Sequence, residues 1–564
     1  MDDPAALDPG GHLAAAAADC VHCGFCLPAC PTYQLWGEEM DSPRGRIHLI
    51  SQVLDGAPVS ESVTTHLDRC LGCMACVTAC PSGVRYNELI EAARAWPQEP
   101  LGRGGGVGAS TGWGGGVRAS TARGGGAGAS TGWGGGVRAS TAEPSSSPAQ
   151  GPARSPAQTA RTARTARTAR SLRDRAVRAA IFATFPYPKR LRALSGPLRA
   201  AQRAGFDRLA QRGPATRYAP ELAASLRLAP QAPARRGGPR TRPGRLPARV
   251  PAGGPRRAVV GMLTGCVQQV FFPEVNAATA RVLAAEGCDV IIPPGQGCCG
   301  ALSLHAGRAA EAARFAEQTI ATFEREGVDV VVVNSAGCGS AMKEFGAVFA
   351  RAVPGSAAHS RAGADAAAAN AGPGHANAGL DYTDTGSGQA DAASDPGQPG
   401  AAHPLAGRAA AFSATVRDLS EFLAELYRDH GGPRAIRHEL PVAAAYHDAC
   451  HLAHAQRIRQ QPRDLLRGIP GLGLTEVGDN MTCCGSAGVY NLLQPEAAAE
   501  LGVRKAAAVR ATGARLVVSA NPGCSLQIAA ALEADGGGPV AVAHIAEVLD
   551  ASLRGLPVTA LTNR

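Results

Sequence analysis

The stretch CVHCGFCLPACP, residues 20–31, and its second copy CLGCMACVTACP, residues 70–81, decide how the N-terminal part of the chain folds. Each copy spaces four cysteines as Cys-x-x-Cys-x-x-Cys-x-x-x-Cys and places proline after the last one. This is the spacing of thiolate ligands to [4Fe–4S] clusters. Zinc usually takes its four ligands as two separated pairs, so a zinc site does not explain two copies of a four-cysteine run.

The two copies predict two clusters with crossed ligands, because a tight loop supplies three thiolates and the other copy supplies the fourth. Cluster one is assigned to Cys20, Cys23, Cys26 and Cys80. Cluster two is assigned to Cys70, Cys73, Cys76 and Cys30. The long segment between Cys30 and Cys70 predicts an expanded, helix-linked module of the kind that relays electrons in respiratory enzymes.

Two further cysteine sets recur in the C-terminal half. The first set is Cys266, Cys298, Cys299 and Cys338. The second set is Cys450, Cys483, Cys484 and Cys524. A cysteine pair precedes glycine in both sets, with intervals of 32 and 33 residues to the pair and then 39 and 40 to the last cysteine. A packing cysteine at a glycine turn explains one such motif but not a matched pair. Each set is therefore a candidate metal or redox-active thiol site.

Short apolar runs and amphipathic stretches alternate around these cysteines, which predicts a tandem duplication of one α/β unit. The predicted strands are Ala258–Cys266, Cys288–Pro293, Val328–Cys338, Val442–Cys450, residues 474–479 and Ala514–Cys524. The predicted helices are Pro273–Glu286 and Pro495–Ala511. Each unit places cysteines where strands end, which is where open parallel sheets hold their ligands. The fold class expected is α+β with α/β.

Low-complexity sequence interrupts the chain at two places. A ten-residue unit repeats four times over residues 104–143, a TAR array runs to Arg170, and an Ala/Gly/Asp/Ser-rich stretch covers residues 352–404. Neither stretch can bury enough apolar surface to offset chain entropy, so both are predicted to be disordered. The predicted divisions are a two-cluster domain at 1–95, a repeat linker at 96–170, a basic helical connector at 171–255, a first α/β domain at 256–350, an insertion at 351–407 and a second α/β domain at 408–555.

The charge of the chain is concentrated in one segment. The net charge is +10, but residues 154–257 alone carry 25 Lys+Arg against three acids, so the remainder is acidic. That distribution argues against a nucleic-acid binder. Helical periodicity over Ser171–Arg227 predicts basic amphipathic helices, which either pack on the protein or face an anionic membrane or acidic partner. The sequence shows no signal peptide and no apolar run of about 18 residues. Its 17 cysteines point to metal in a reducing, cytoplasmic compartment.

The strings LDRCLGCMACVTACPSGV, GCCGALSLHAG, NSAGCGSAMKEF, YHDACHLAHAQ, TCCGSAGVYN and NPGC carry a family resemblance. The C-terminal half resembles the CCG domain that heterodisulfide reductases share with the iron–sulfur subunits of glycolate, lactate and anaerobic glycerol-3-phosphate dehydrogenases. Joined to a two-cluster module, the order is most similar to the glycolate oxidase iron–sulfur subunit. The resemblance covers residues 18–95, 256–350 and 408–552.

The resemblance implies an electron-transfer subunit that takes electrons from an FAD-binding partner and passes them towards a quinone-type acceptor. Nothing in the sequence resembles a flavin or nicotinamide site, so the chain alone is expected to be inert on a hydroxy acid. A lactate or glycerol-3-phosphate enzyme, a heterodisulfide-reductase-like enzyme and a free ferredoxin-type carrier are the alternatives. Contact with the inner face of the cell membrane is a further expectation.

One departure from the family pattern concerns the end of each cysteine set. In the heterodisulfide reductase pattern each set ends Cys-x-x-Cys, and five thiolates hold a non-cubane cluster. Here Ala341 and Gln527 stand at the last position, so the fifth thiolate is missing in both sets. His447, Asp448 and His451 flank Cys450 and either supply a nitrogen ligand or a proton relay, or form a polar loop satisfied by backbone hydrogen bonds. Cys288 has no counterpart in the second unit and is expected to be a buried structural thiol.

Overall fold

The computed structural model describes residues 7–8, 11–97, 171–205, 220–228, 246–351 and 405–563. All of these belong to one compact unit of the chain, residues 1–99 with 168–564. The predictions of a disordered repeat linker and a disordered insertion lie outside the described residues.

The N-terminal module is helical, as its sequence predicts. Its helices are α1 (His12–Ala18), α2 (Pro31–Trp36), α3 (Pro43–Leu54), α4 (Glu61–Arg69), α5 (Ala75–Ala79) and α6 (Tyr86–Ala93), with a 3-10 turn at Glu39–Asp41. The proline after Cys30 starts α2, where its missing N–H costs nothing. The hydroxyls of Ser42 and Ser60 cap α3 and α4.

A buried carboxylate holds these helices together. Asp41 is fully buried and receives Arg46 at 3.3 Å, His66 Nδ1 at 2.9 Å and Arg69 at 2.8 Å. Arg46 is also fully buried and donates to the Thr32 hydroxyl at 3.1 Å. A buried charge is tolerated only when paired and hydrogen-bonded, so this network fixes how α2, α3 and α4 meet.

In its described residues the connector forms the helices α7 (Leu172–Thr184), α8 (Pro188–Arg203) and α9 (Pro220–Leu228). Ile181 and Phe182 of α7 pack against Leu492 and Leu228. Arg178 reaches Asp68 of the N-terminal module at 2.9 Å. The first connector helix is therefore packed on the protein.

The first sheet has five strands in the order β1-β3-β2-β4-β5, and all pairings except β1 with β3 are parallel. The strands are β1 (Arg249–Val250), β2 (Ala258–Met262), β3 (Cys288–Ile291), β4 (Val330–Val333) and β5 (Val416–Asp418). The helices are α10 (Val267–Phe271), α11 (Pro273–Ala285), α12 (Ala301–His305), α13 (Ala309–Glu324), α14 (Ala336–Lys343), α15 (Phe345–Arg351), α16 (Ala406–Thr415) and α17 (Leu419–Asp429).

The second sheet has four parallel strands in the order β7-β6-β8-β9. The strands are β6 (Val442–Tyr446), β7 (Leu472–Glu476), β8 (Leu516–Ser519) and β9 (Ala541–His544). The helices are α18 (Gln460–Arg467), α19 (Tyr490–Leu493), α20 (Pro495–Ala511), α21 (Pro522–Ala534), α22 (Ile545–Leu553) and α23 (Thr559–Thr562), with a π turn at His451–Ala455. Strands β3-β2-β4-β5 and β7-β6-β8-β9 follow the same order, which is the arrangement that a duplicated unit gives.

The structure corrects three details of the sequence expectations. Strands β4 and β8 end at Val333 and Ser519, well before the predicted cysteines, because Ser335 and Asn521 are extended residues that begin helices. Cys338 and Cys524 therefore lie in the first turns of α14 and α21. Strand β5, predicted to belong to the domain at 408–555, instead pairs with β4 and completes the first sheet.

The two sheets share one hydrophobic core, which includes Val260, Val290 and Val332 of the first sheet and Tyr446 and Val518 of the second. Ion pairs join the units as well, for example Arg281 to Asp550 at 2.7 Å. The cysteine-bearing ends of the two units are thereby held in fixed positions. No helix in the described ranges has the length and apolarity needed to cross a membrane.

Candidate metal centres

Cys20, Cys23, Cys26 and Cys80 line one cavity of about 420 Å³ in the N-terminal module. These are the four thiols predicted for cluster one, and the structure brings them together. The cavity lies near the surface, since Cys23 is exposed and the neighbouring Val21 and Phe25 are 68% and 64% exposed.

Cys30, Cys70, Cys73 and Cys76 line a second cavity of about 280 Å³ and are all buried. These are the thiols predicted for cluster two, and Cys76 borders both cavities. Burial alone would raise the pKa of Cys70, but the guanidinium groups of Arg46 and Arg94 outweigh it and lower that pKa. Four buried thiols around one cavity, with cations beside them, fit the ligand chemistry of a [4Fe–4S] cluster.

The two cysteine loops share a backbone conformation. His22 and Gly24 in the first loop, and Gly72 and Met74 in the second, all have positive φ. Each pair flanks the second cysteine of its run, and the Gly72 N–H donates to the Cys70 sulfur at 3.3 Å. Positive φ turns the backbone tightly enough for one short loop to aim three sulfurs at one point.

The first cysteine set of the C-terminal half, called the first CCG set, lies at the ends of β2 and β4 and consists of Cys266, Cys298, Cys299 and Cys338. The Cys266 and Cys298 sulfurs are 3.6 Å apart, and the Gly300 N–H donates to the Cys298 sulfur at 3.3 Å. Hydrogen bonds from the Cys298 and Cys338 thiols lower the pKa of Cys299 well below its ordinary value. Within the set the thiolate form is therefore favoured at Cys299, whereas the same thiol contacts raise the pKa values of Cys298 and Cys338 well above the ordinary value.

The second CCG set forms a chain of thiol contacts from Cys450 through Cys483 and Cys484 to Cys524. The hydrogen bond with Cys483, together with burial, raises the pKa of Cys450 well above its ordinary value. The ammonium of Lys505, buried and bonded to the Asp479 carbonyl at 2.6 Å, lies close to these thiols.

Each Cys-Cys-Gly motif requires its glycine for two reasons, the backbone conformation and the lack of space for a side chain. Gly300 and Gly485 have φ of +89° and +91°, the left-handed region that favours glycine. A Cβ there would lie 3.0 Å from the Ala312 carbonyl oxygen and 2.6 Å from the Ala498 carbonyl oxygen, in helices α13 and α20. The motif thus turns sharply against a helix, which places both cysteine sulfurs at the strand ends.

The loop that carries Cys70, Cys73 and Cys76, called the cluster-two loop, packs directly on the second CCG set. Leu71 and Cys73 belong to the same hydrophobic cluster as Cys483, with Cys450 against it. The His451 Nε2 donates to the Gly72 carbonyl at 2.8 Å. His454 Nδ1 lies 3.0 Å from the Thr78 hydroxyl. The N-terminal cysteines and the second set are therefore neighbours.

The two CCG sets also face each other. The Ala336 N–H donates to the Ala520 carbonyl at 3.2 Å, and the Ser335 hydroxyl donates to the Asn521 side chain at 3.3 Å. These residues precede Cys338 and Cys524. On its other side the first set is covered by the connector, since Tyr187 packs against Phe315 beside Cys266 and Cys298.

The polar residues near Cys450 have different surroundings. Asp448 receives both guanidinium nitrogens of Arg463, at 3.0 and 2.7 Å. Burial and the neighbouring His305 lower the pKa of His451 to about 4, so its ring is neutral. His447 is 1% exposed, and neither ring nitrogen has a hydrogen-bond partner among the described residues. The expected polar loop satisfied by backbone hydrogen bonds therefore fits His451, which bonds the Gly72 carbonyl, but not Asp448, which is paired with a side chain, and not His447.

Sequence reasoning did not find the groups that join the module to the CCG units. His305 Nδ1 contacts the Glu91 carboxylate at 2.7 Å, and its ring packs edge-on against His451 with centroids 4.7 Å apart. Arg94 donates to the carbonyls of His305 and Cys70. Of these residues, His305, Glu91 and Arg94 belong to no cysteine motif. Cys288 lies in the core with no exposed surface, as expected of a structural thiol.

The comparisons with known proteins agree with these sites. The 4Fe-4S dicluster domain family matches residues 16–84, the cysteine-rich domain family matches residues 260–343 and 444–529, and the linker region of the glycolate oxidase iron-sulfur subunit matches residues 173–229. The dicluster match indicates two [4Fe–4S] clusters, and the cysteine-rich domains suggest further iron–sulfur centres.

Relatives match over nearly the whole chain. The chain is 30% identical to the probable glycolate oxidase iron-sulfur subunit of Bacillus subtilis (strain 168), over 94% of this chain and 93% of that protein. It is 28% identical to the glycolate oxidase iron-sulfur subunit of Escherichia coli (strain K12), over 95% and 93%. Lactate utilization protein A of Shouchella clausii is 26% identical over 52% of this chain and 98% of that protein. The chain belongs to the family of glycolate oxidase iron–sulfur subunits.

Proposed function

We propose that this chain is the iron–sulfur electron-transfer subunit of a glycolate (2-hydroxy acid) oxidase or dehydrogenase. It takes electrons from an FAD-binding partner and passes them towards a quinone-type acceptor. The observation that carries the proposal is the contact between the buried four-thiol cavity of the N-terminal module and the second CCG set, at Cys73, Cys450 and Cys483.

The ligand assignment follows the two cavities. Cys20, Cys23, Cys26 and Cys80 hold cluster one, and Cys30, Cys70, Cys73 and Cys76 hold cluster two. When bound, each [4Fe–4S] cluster supplies one-electron redox chemistry. The chain's own residues set the surroundings of each cluster. Arg46 and Arg94 place positive charge at the buried cavity, which is the one lined by Cys70. The outer cavity, which is the one lined by the exposed Cys23, stays open to a partner.

The surface around the outer cavity is the proposed docking site of the FAD-binding partner. Val21 and Phe25 are large apolar side chains that stand exposed beside Cys23. Exposed apolar residues grouped at a functional site mark an interaction surface. A flavoprotein seated there would bring its flavin within reach of the most accessible thiols of the chain.

Glycolate is proposed as the substrate of the complex because the matches over nearly the full length carry that name. Lactate is the second candidate, since the half-length matches include lactate utilization proteins. A glycerol-3-phosphate enzyme or a heterodisulfide-reductase-like enzyme is less well supported. The hydroxy acid would be oxidised at the flavin, so we expect the isolated chain to be inactive on it.

The proposed location is the cytoplasm, with peripheral contact at the inner face of the cell membrane. Helix α8 exposes Lys189, Arg190, Arg192 and Arg199 together with Leu194, which is 54% exposed. A basic helix with an exposed apolar side chain suits an anionic lipid surface.

Anaerobic purification with iron, sulfide and EPR analysis tests the relay. The variant carries Cys298→Ser, Cys299→Ser, Cys483→Ser and Cys484→Ser, and Cys288→Ala, outside both sets, is the matched control. We expect wild type and control to hold more than the roughly eight irons of two cubanes, and the variant to fall to that number. An unchanged iron content in the variant would make the C-terminal half a docking scaffold with unmetallated thiols.

A second measurement addresses the complex. The chain and its FAD-binding partner, purified together, should reduce a quinone analogue with glycolate, whereas the isolated chain should not. Glycolate turnover by the isolated chain, or disulfide reduction by it, would overturn the proposal in favour of an independent enzyme. Equal reduction by several unrelated flavoproteins would indicate a free carrier.

A further inference from the structure

We propose that His447 is a nitrogen ligand of the metal centre in the second CCG set, where it joins Cys484 and Cys524. The second centre is then held by both sulfur and nitrogen, whereas the first is held without a histidine at the matching position. This inference rests on the proposal that the second set holds an iron centre.

The first argument is the isolation of the imidazole. His447 is 1% exposed, yet both Nδ1 and Nε2 lack a hydrogen-bond partner among the described residues. Buried polar atoms in proteins are almost always hydrogen-bonded, because leaving one unpaired costs about 1–3 kcal/mol. The imidazole of His447 therefore has both nitrogens available to bind a metal.

The second argument is distance. One ring nitrogen of His447 and the sulfurs of Cys484 and Cys524 all lie within 4.8 Å of one another. The described part of the chain contains no other group of three such donor atoms that is this compact. Imidazole nitrogen and thiolate sulfur both bind iron and zinc, so the donor set is chemically sound.

The third argument concerns the missing fifth thiolate. Gln527 stands where the heterodisulfide reductase pattern has a cysteine, but its side chain is committed elsewhere. It accepts from Asn491 at 3.2 Å and donates to the Ala498 carbonyl at 2.8 Å. His447, which directly follows the end of β6, has no such commitment at either ring nitrogen.

The fourth argument comes from the duplicated unit itself. The backbone N–H of His447 donates to the Val518 carbonyl of β8, and the backbone N–H of Leu263 donates to the Val332 carbonyl of β4 in the same way. Each stands three residues before the first cysteine of its set. The next contact matches as well. At the end of its strand, the side-chain amide of Gln296 or Asn480 accepts from one backbone N–H and donates to one backbone carbonyl. Leu263 therefore marks the equivalent position in the first unit, and it offers no ligand atom.

The test is a nitrogen hyperfine measurement on the full-length chain, reconstituted anaerobically with iron and sulfide and labelled with ¹⁵N-histidine. We expect strong histidine-nitrogen coupling in pulsed EPR spectra of the reduced wild type, because a bound imidazole transfers spin density to nitrogen. The coupling should be lost in His447→Leu, which copies Leu263, and in His447→Cys, which restores a thiolate donor. His447→Cys should also keep the iron of the second set.

His454→Gln is the matched control. His454 is a buried histidine near the same set, but Thr78 and the Met481 carbonyl already satisfy its two nitrogens. The coupling should survive that change. Absence of histidine coupling in wild type, or its persistence in both His447 variants, would overturn the inference.

The iron content separates this inference from its premise. Iron above the two cubanes that disappears in Cys483→Ser/Cys484→Ser, without histidine coupling in wild type, overturns the role of His447 alone. Iron no higher than the two cubanes overturns both. Since the wild-type spectrum is decisive, a failure of one variant to fold would not rescue the inference.

Discussion

At the scale of single residues, the molecule concentrates its buried cations around thiols. Arg46 and Arg94 stand beside Cys70, and Lys505 stands beside the second CCG set. Thiolate ligands and reduced clusters are anionic, and an anion in a low-dielectric interior needs a compensating charge. These three residues are therefore expected to control how readily each centre accepts an electron.

Replacing Arg46 should shift the potential of one cluster selectively. In Arg46→Gln the cluster at Cys30, Cys70, Cys73 and Cys76 loses a neighbouring positive charge, so its reduction potential should fall. One charge at close range in an effective dielectric of about 20 amounts to roughly 2–4 kcal/mol, on the order of 100 mV for a one-electron couple. An EPR-monitored redox titration measures the change.

Arg44→Gln is the control for this charge effect. Arg44 lies on the outer cavity, paired with Glu39 at 2.6 Å. Its loss should leave the buried cluster's potential in place. Equal shifts from the two variants, or none from Arg46→Gln, would show that Arg46 does not tune this centre.

Among single residues, the sequence predicted the grouping of the N-terminal cysteines but not the surroundings of His447 and Gln527. The spacing of the eight N-terminal cysteines predicted two groups of four, and each group lines one cavity, because such spacing reflects one local loop geometry. The isolation of His447 was not predictable, since it depends on the absence of partners from elements far apart in sequence. Gln527 likewise became a structural residue only through its contact with α20.

At the scale of elements, the Cys-Cys-Gly turn is the device that the two units share. It places two adjacent sulfurs at a strand end while its glycine lies against a helix. Periodicity located the strands and predicted α20 at Pro495–Ala511 with the observed bounds. It missed β1 and β5, which have two and three residues, because so short a run carries little pattern, and it also missed β9.

Substituting the turn glycine should disable the second site. Gly485→Ala forces a Cβ against the Ala498 carbonyl and strains a left-handed residue. Left-handed strain costs about 1–2 kcal/mol, and overpacking adds about 1–3 kcal/mol. We expect the variant to lose the iron of the second set while keeping the iron of the N-terminal module, as measured by iron analysis and EPR.

Gly513→Ala separates strain from crowding. Gly513 has φ of +68° after the end of α20, but a Cβ there would meet nothing within 4 Å. Its cost should be limited to the left-handed strain, and its iron content should match wild type. Loss of iron in Gly513→Ala, or full retention in Gly485→Ala, would contradict the steric explanation.

At the scale of the whole molecule, one histidine ties the two CCG units together. His544 Nδ1 accepts from the Ala546 N–H and caps α22, while its Nε2 donates to the Asn334 carbonyl of the first unit at 2.9 Å. Burial lowers the pKa of His544 to about 4. The neutral ring is therefore part of the contact between the units.

This histidine predicts a loss of stability in acid. In the unfolded chain its pKa is about 6.5, so between pH values of about 6.5 and 4 the unfolded chain binds a proton that the folded chain does not. Its contribution is full above about pH 7 and falls as the pH drops. Between about pH 7 and 4.5 wild type should lose about 2 kcal/mol more unfolding free energy than His544→Asn, in anaerobic urea titrations. Parallel pH profiles for the two proteins would refute this role.

The exposed apolar surface around the outer cavity predicts where the FAD-binding partner docks. Phe25→Asp places a charge beside the outer cavity and should weaken binding to the FAD-binding partner by at least about tenfold, as expected for a central apolar contact. Ile436→Asp is the control, because Ile436 is 77% exposed but lines neither cavity. Both variants should keep wild-type iron. Unchanged binding in Phe25→Asp would move the docking site elsewhere.

The overall arrangement was only partly predictable from the sequence. The matched cysteine intervals indicated two similar units, and the sheets have matching strand order. Nothing in the spacing indicated that the cluster-two loop would lie on the second CCG set. That contact depends on His451, His454 and Leu71, which pair residues nearly 400 positions apart.

The contact between Cys73 and the second CCG set also imposes an order on how the protein matures. Cys483, Cys484 and Cys524 are buried, and the N-terminal module covers the side that carries Cys450. On the proposed assignment of an iron centre to this set, iron must reach it before the module closes over it. A ribosome makes the module first and the second unit last, so closure has to wait for the end of synthesis. Metal delivery belongs to that interval, and premature docking would seal an empty site.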